Sequence, residues 1–338
     1  MKKVLMVLLA MVLSLSMALT GCAEEEAGSK PVIKVTDLNW GSAHFQAEVA
    51  KIIIEKGYGY PVELVPGKTI ILFQALCTGE LDVDIEVWLP NQQEAYDKAM
   101  AAGDIVDLGI LNNDNWQSTF VVPTYVIKGD AERGIEPVAP NLKSVADLDQ
   151  AEYKELFKNP ENPSKGMIMN GPPGWESEKI AIEQVAAYGL DDDYDLINPG
   201  SDTALFAGLA GAYEKGEPWI TYLWGPTWIA GKLDLTLLEE PAYDEAVWEE
   251  NRGCAFPSAD LLIAAHKDFP DKAPDVAEMF NNWKMDTKTL GEGLAYMDDT
   301  AGEPIDAAVW FLKNREEIWT TFVPDDVAQK VKDAVAGM

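Results

Sequence analysis

Residues 72–103 read LFQALCTGELDVDIEVWLPNQQEAYDKAMAAG, and this stretch contains the pattern that decides the fold. Apolar residues occupy every second position from Val83 to Leu89, which predicts a β-strand. The stretches 72–78 and 92–102 on either side are helical in character, and each ends at a glycine. A strand between two helices is typical of an α/β protein.

The same alternation continues in both directions along the chain. Further strands are predicted at 32–35, 61–65, 167–169, 219–223 and 260–265, and further helices at 43–55, 145–157, 178–188 and 205–215; the apolar runs 120–122 and 125–127 flank Pro123. The Pro- and Asn-rich stretch 129–165 separates two such series. This pattern predicts mainly parallel sheets in two lobes, with a ligand at the carboxyl ends of the strands.

The N-terminus carries an export signal. Two lysines precede an apolar run over residues 4–20, and Leu19-Thr20-Gly21-Cys22 is similar to the bacterial lipobox. We therefore expect a lipoprotein signal peptide at 1–21, lipidation of Cys22 and a lipidated tether at 22–31. The alternative is an ordinary signal with a chance cysteine. The expected location is extracytoplasmic, with a lipid anchor on the cell membrane, at the periplasmic face or the cell surface.

The mature chain is divided by these patterns into three parts. We place the first part of lobe I at 32–127, lobe II with its crossover linkers at 128–250, and the mostly helical return to lobe I at 251–338.

The chain has 57 acidic and 26 basic residues, for a net charge of −31. Such a charge repels nucleic acid and favours a soluble chain, which we expect to be a monomer.

Motifs for catalysis or metal binding are missing from the sequence. The two histidines, His44 and His266, lie far apart, and neither belongs to a zinc or nucleophile motif. The acidic run 191–195 is interpreted as a solvated turn rather than a calcium loop. We therefore expect no enzyme, no cofactor and no metal. Cys77 and Cys254 leave two possibilities open, a disulfide or buried free thiols.

Four tryptophans share an unusual position. Trp40, Trp88, Trp175 and Trp224 each lie at or just past the carboxyl end of a predicted strand, beside Gly or Pro, and each lobe supplies two. Indole faces bind methylated ammonium groups, which have no hydrogen-bond donors, through cation–π and apolar contact. The pattern therefore predicts a Trp box, although each tryptophan taken singly is as well explained by packing.

Three motifs resemble the glycine betaine/proline betaine substrate-binding proteins of ABC importers. They are LNWGS at 38–42, VWLPN at 87–91 and LWGPTW at 223–228, and the resemblance covers nearly the whole mature chain. It implies a two-lobe, type II periplasmic-binding-protein-like fold with a hinge between the lobes. It also implies a quaternary-ammonium ligand held by Trp40, Trp88 and Trp224, and delivery of that ligand to an ABC permease.

The second lobe departs from the family pattern. Its first loop, residues 170–175, contains two prolines, which lack N–H groups, and Trp175. We expect N–H groups near Asn170 and Gly171 to hold the polar end of the ligand, and Glu86 to neutralise or orient it. Trp116 and Trp228 are reserve candidates.

Several ligands and two other classes of function remain open. Glycine betaine is the first choice, and choline, carnitine, dimethylsulfoniopropionate and trimethylamine N-oxide are alternatives. A secreted enzyme acting on a choline-like compound would need a nucleophile–base pair in the cleft. A binding protein for an amino acid or peptide would need a clamp for a primary amine.

Overall fold

The computed structural model describes residues 30–338, so the predicted signal peptide and the lipidation site Cys22 lie outside the described residues. In this part of the chain, nine strands join into one sheet: β1 (Ile33–Leu38), β2 (Val62–Gly67), β3 (Val83–Leu89), β4 (Ile105–Pro123), β5 (Gly166–Met169), β6 (Tyr194–Ile197), β7 (Thr221–Gly225), β8 (Leu235–Leu237) and β9 (Ala259–His266).

Helices connect the strands and make up most of the chain after β9. They are α1 (Gly41–Ile52), α2 (Thr69–Thr78), α3 (Gln93–Ala102), α4 (Thr124–Lys128), α5 (Ala151–Leu156), α6 (Glu176–Ala187), α7 (Asp202–Lys215), α8 (Trp228–Lys232), α9 (Glu245–Asn251), α10 (Phe269–Lys272), α11 (Pro274–Asn281), α12 (Thr287–Thr300), α13 (Pro304–Asn314), α14 (Glu316–Trp319) and α15 (Asp325–Val335). A π-helix (Ile53–Tyr58) extends α1, and 3-10 turns lie at Val145–Asp149 and Thr320–Phe322.

The strand β3 and its flanking helices match the prediction closely. The strand spans the predicted residues, and α2 and α3 end before Gly79 and Gly103. Both glycines have left-handed backbones, with φ of 78° and 69°. Glycine adopts this conformation without the steric cost that a Cβ would add, so it ends a helix well.

The strand order is β2-β1-β3-β9-β4-β7-β5-β6, with β8 paired to β4. Strands β2, β1 and β3 are parallel in one half of the sheet, and β7, β5 and β6 are parallel in the other. The expectation of parallel pairing is therefore confirmed within each half. The expectation of parallel pairing is wrong at the centre of the sheet, where β4 and β9 pair antiparallel with their neighbours. The reason is that β4 carries the chain out of the first half and β9 brings it back.

The strand β4 was missed by the sequence analysis, which noted only an apolar run at 120–122 before Pro123. Three shifts of register interrupt its pairing with β9, so its side chains do not alternate simply, and Asn and Asp are unfavourable in strands. It pairs with β9 up to Asn115 and with β7 from Trp116 onward. The chain thus passes between the halves within this strand. The lobe limits given above, at 127/128 and 250/251, stay a prediction.

Two clusters of buried apolar side chains stabilise the sheet. The larger one contains the four tryptophans of the predicted box, and the smaller one belongs to the second half, around Phe120, Ile168 and Ile220. No helix in residues 30–338 is long and apolar enough to cross a membrane.

Candidate functional site

The four tryptophans line one small cavity between the two halves of the sheet, with a volume of about 30 Å³. Trp40 is the N-cap of α1, directly after β1, and Trp88 lies near the end of β3. From the other half, Trp175 is the N-cap of α6 and Trp224 lies near the end of β7. The carboxyl ends of strands therefore bring the four indoles together, as expected for open α/β sheets.

The indoles form walls that meet at steep angles. The ring of Trp175 lies 5.3 Å from that of Trp40 at 75°, and 5.1 Å from that of Trp224 at 78°. All four side chains are buried. Edge-to-face packing holds the rings in place and leaves ring faces available to a cation enclosed between them.

Glu86 lies behind the first two indoles and is not among the residues that line the cavity. Its Oε2 accepts the indole N–H of Trp40 at 2.7 Å and that of Trp88 at 3.3 Å, together with the hydroxyl of Ser42 at 3.1 Å. Its Oε1 accepts the side-chain amide of Gln46. Burial raises the pKa of the Glu86 carboxyl, while these four donors oppose the rise. Glu86 thus fixes the orientation of both rings.

Contacts between the two halves hold the remaining walls. The indole N–H of Trp175 donates to Oδ1 of Asn39 at 2.8 Å, which joins α6 to the end of β1. The side chains of Asn91 and Gln117 exchange two hydrogen bonds of 3.0 and 2.8 Å. The hydroxyl of Tyr222 also donates to Gln117 at 3.0 Å. The cavity is therefore bordered by polar links that require both halves.

The N–H groups predicted to hold the polar end of the ligand are already bonded. The N–H of Asn170 donates to Ile197 at 2.8 Å, and that of Gly171 donates to the Asn170 side chain at 2.7 Å. Neither residue lines the cavity. They shape the loop that leads to α6, and they do not offer these two donors to a ligand.

The first turn of α6 lines the cavity instead, through Glu176 and Ser177. Trp175, its N-cap, makes no side-chain capping bond. Free N–H groups and the helix dipole make such an N-terminus favourable for a negative oxygen. Asn91, in the VWLPN motif, and Glu176 and Ser177, directly after Trp175, could have been found from the sequence. In all, sequence analysis missed six lining residues: Thr69, Asn91, Gln92, Glu176, Ser177 and Tyr222.

The two reserve tryptophans do not line this cavity. Trp228 borders a wider neighbouring cavity of about 840 Å³, which shares Trp40 and Trp224 with the first. Trp116 packs against the backbone of Gly225, across the pairing of β4 with β7.

The other reactive side chains of the described residues form no second centre. Cys77 and Cys254 are free thiols, so the disulfide left open by the sequence is not formed between them. Within residues 30–338, no group of three His, Cys, Asp or Glu side chains is arranged to hold a metal ion.

Two curated relatives match most of the chain. A trimethylamine N-oxide-binding protein of Pelagibacter ubique is 27% identical over 328 residues, which cover 95% of this chain and 99% of the relative. The glycine betaine-binding periplasmic protein OusX of Dickeya dadantii is 24% identical and covers 84% of this chain and 85% of its own length.

The fold is that of a two-lobed, type II periplasmic binding protein. The crystal structure of the glycine betaine/L-proline-binding protein ProX of Borrelia burgdorferi superposes with a TM-score of 0.73 at 22% identity, covering 89% of this chain and 99% of that one. A family model for the substrate binding domain of ABC-type glycine betaine transport systems matches residues 31–314. With most of its length matched, this chain belongs to the family of substrate-binding domains of ABC-type glycine betaine transporters.

Proposed function

We propose that the protein captures a small methylated ammonium compound in the box formed by Trp40, Trp88, Trp175 and Trp224, and delivers it to an ABC permease. The observation that carries this proposal is that four indoles, two from each half of the sheet, line one cavity. Each ring face contributes roughly 0.5–2 kcal/mol toward a desolvated cation. A primary amine would lose its hydrogen bonds to water in such a box, so the box rejects it.

The favoured ligand is trimethylamine N-oxide. Among the described residues that line the cavity none is Lys, Arg or His, and the one charged side chain is that of Glu176. A carboxylate is best held by such cationic groups, whereas the single oxygen of an N-oxide needs fewer donors. The first turn of α6, with Ser177, offers donors at one end of the box. The relative from Pelagibacter ubique, which binds trimethylamine N-oxide by its name, supports this choice.

Glycine betaine is the second candidate, because the matching family model is described for glycine betaine transport. Its carboxylate would occupy the same end of α6. Choline, carnitine and dimethylsulfoniopropionate share the methylated cationic group and form the rest of the ligand class.

Anchoring and delivery complete the proposal. We propose that Cys22 carries the lipid, that residues 22–31 tether the protein outside the membrane, and that it acts as a monomer. The lobes would close around the ligand, with β4 and β9 as the connecting strands, and the permease would recognise the closed form. Mass spectrometry of the protein from membranes tests the first point, since an unmodified Cys22 there would contradict it.

The ligand is tested by titrating the mature protein and following its intrinsic Trp fluorescence, with calorimetry as a second readout. Trimethylamine N-oxide, glycine betaine, choline, carnitine and dimethylsulfoniopropionate are compared with free glycine as the unmethylated control. We expect saturable binding of at least one methylated compound, tightest for trimethylamine N-oxide, and none of glycine. Binding of glycine alone, or of none of these compounds, would exclude the proposed ligand class.

A further inference from the structure

The side chain of Gln92 brings an unsatisfied hydrogen-bond donor to the cavity. Gln92 is the N-cap of α3, lines the cavity and is 3% exposed. Its Nε2 is buried and has no hydrogen-bond partner among the described residues. A buried donor without a partner is costly, and such groups are rare in native proteins. The Gln92 amide therefore has a donor to offer to a ligand in the cavity.

The orientation of this amide is fixed by Trp88. The Oε1 of Gln92 accepts the backbone N–H of Trp88 at 3.1 Å, and the backbone N–H of Gln92 donates to the carbonyl of Trp88 at 3.0 Å. The N–H of Trp88 needs an acceptor, and turning the amide by 180° would set two donors against each other. The bond to Trp88 thus determines that the nitrogen of the amide, and not its oxygen, stays unpaired.

The other amide at the cavity has its partners already. Asn91 exchanges two hydrogen bonds with Gln117, at 3.0 and 2.8 Å. The hydroxyl of Tyr222, which also lines the cavity, donates to the same Gln117. Of the two amide side chains that line the cavity, only that of Gln92 has a nitrogen without a partner.

An unpaired N–H donor matches an oxygen that carries negative charge. The methyl groups of a quaternary ammonium accept no hydrogen bond, so they cannot satisfy Gln92, whereas the oxygen of an N-oxide or a carboxylate can. A methylated cation against the indole faces leaves such an oxygen to the polar part of the lining. Gln92 follows β3 in the first half of the sheet, and the first turn of α6 belongs to the second half.

We propose that Gln92 is a ligand-binding residue: its side-chain amide donates a hydrogen bond to the anionic oxygen of the ligand, and so makes the site selective for methylated ammonium compounds that carry such an oxygen. This rests on the proposed function and narrows its ligand class to compounds that are neutral overall. Because Gln92 and α6 come from opposite halves, one oxygen bound by both also links the lobes in the closed form.

The test uses two ligands of nearly the same shape. Tetramethylammonium and trimethylamine N-oxide differ in that one methyl group is replaced by oxygen. Both are titrated calorimetrically into the wild-type protein and Gln92→Met, which has a side chain of similar size and no donor. This variant also removes the acceptor of the Trp88 N–H, and that loss is common to both ligands. The ratio of the two affinities therefore isolates the donor.

In Gln92→Met we expect the affinity for trimethylamine N-oxide to fall about tenfold more than that for tetramethylammonium, because hydrogen bonds to charged oxygens are strong. The matched control is Gln93→Met. Gln93 is the next residue of the chain, but it donates to Asp97 at 2.9 Å and does not line the cavity. This control should leave the ratio of the affinities unchanged.

An unchanged ratio in Gln92→Met would assign Gln92 a structural role only and overturn the inference. A wild-type protein that binds tetramethylammonium or choline, but no compound with an anionic oxygen, would overturn it as well, with the proposed function intact. A wild-type protein that binds no methylated compound would instead remove the proposed function and the inference with it.

Gln92→Glu decides two remaining cases: a Gln92→Met protein that thermal unfolding shows not to be folded, and a wild-type protein that binds tetramethylammonium too weakly to measure. The new side chain has nearly the same shape and still accepts the N–H of Trp88, but when ionised, at about pH 9, it donates nothing. We expect the affinity for trimethylamine N-oxide to fall about tenfold or more. An unchanged affinity would overturn the inference.

Discussion

Three of the four indoles of the box are oriented by residues that do not line the cavity. Glu86 holds the N–H groups of Trp40 and Trp88, and Asn39 holds that of Trp175 from the opposite half of the sheet. Because these indole N–H groups are hydrogen-bonded to residues outside the cavity, the ring faces can turn toward the cavity. The binding chemistry of each tryptophan therefore depends on its partner as much as on its own position.

Replacing Trp175 by alanine tests the box directly. We expect the affinity for the bound methylated compound to fall about 30-fold or more, equivalent to about 2 kcal/mol, because a ring face and two edge-to-face contacts disappear. Trp228→Ala is the matched control, since Trp228 borders only the neighbouring cavity. Calorimetry measures both, and equal losses in the two variants would contradict a box centred on Trp175.

His44 adds a pH-dependent contribution to stability. Its Nδ1 lies 2.5 Å from Asp37. Burial by itself lowers the pKa of His44, but the bond to Asp37 and the charges of Asp37, Asp202 and Glu86 raise the pKa above its ordinary value. A raised pKa stabilises the fold below the unfolded value of about 6.5, and the contribution disappears as pH rises through the folded value.

We therefore expect His44→Gln to lose more stability at about pH 5.5 than at about pH 9. The side chain is 34% exposed, so solvent screening keeps the difference below about 1 kcal/mol. Urea denaturation at the two pH values measures it. A larger loss at the higher pH would show that the neutral form of His44 is the one stabilised.

At the scale of elements, strand ends and helix starts build the site together. Trp40 and Trp175 are N-caps, so the same residues that begin α1 and α6 also supply walls of the box. The first turn of α6 adds Ser177, which is buried. We propose that the indoles bind the methylated cation of the ligand and that the first turn of α6 donates to its oxygen.

Ser177→Ala tests the role of α6. We expect about a fivefold loss of affinity for trimethylamine N-oxide or glycine betaine, corresponding to about 1 kcal/mol for a hydrogen bond, and little change for tetramethylammonium, which has no oxygen. Calorimetric titration of the variant with each ligand measures the difference. An equal loss for tetramethylammonium would mean that Ser177 supports the fold of the loop and not the polar end of the ligand.

At the scale of the whole molecule, contacts between the halves hold the lobes around the cavity. Lys232, at the end of α8, bonds to Asp298 and lies 2.8 Å from Asp299. The helix α12, which carries both aspartates, packs on α1 of the first half. We propose that this contact joins the two lobes and so favours the closed form.

Lys232→Gln should therefore weaken ligand binding by a small factor, under about fivefold, with most of the loss at low salt, because exposed ion pairs are screened by ions. Lys215→Gln is the control, since Lys215 pairs with Glu217 within one lobe. Affinities measured at two salt concentrations distinguish the two variants. A salt-independent loss, or the same loss in Lys215→Gln, would contradict a link between the lobes.

The family to which the chain belongs consists of transporter substrate-binding proteins, which confirms the expectation that it is not an enzyme. The resemblance to betaine-binding proteins is confirmed as well. The resemblance came from short motifs around tryptophans at strand ends, whereas the expectation that the protein is not an enzyme came from the lack of catalytic motifs in the sequence. These motifs are local, and a local pattern can be recognised without knowing which strands pair.

The sequence by itself determined the α/β class, the strand β3 with its flanking helices, and the four tryptophans, because periodicity, glycine stops and motifs are properties of neighbouring residues. Only the tertiary structure decided that β4 and β9 pair antiparallel, that Glu86 lies behind the indoles, and that α6 rather than Asn170 or Gly171 faces the cavity. Strand partners and hydrogen-bond partners are distant in sequence. Their positions follow from the packing of the whole chain and leave no periodic signal near any one residue.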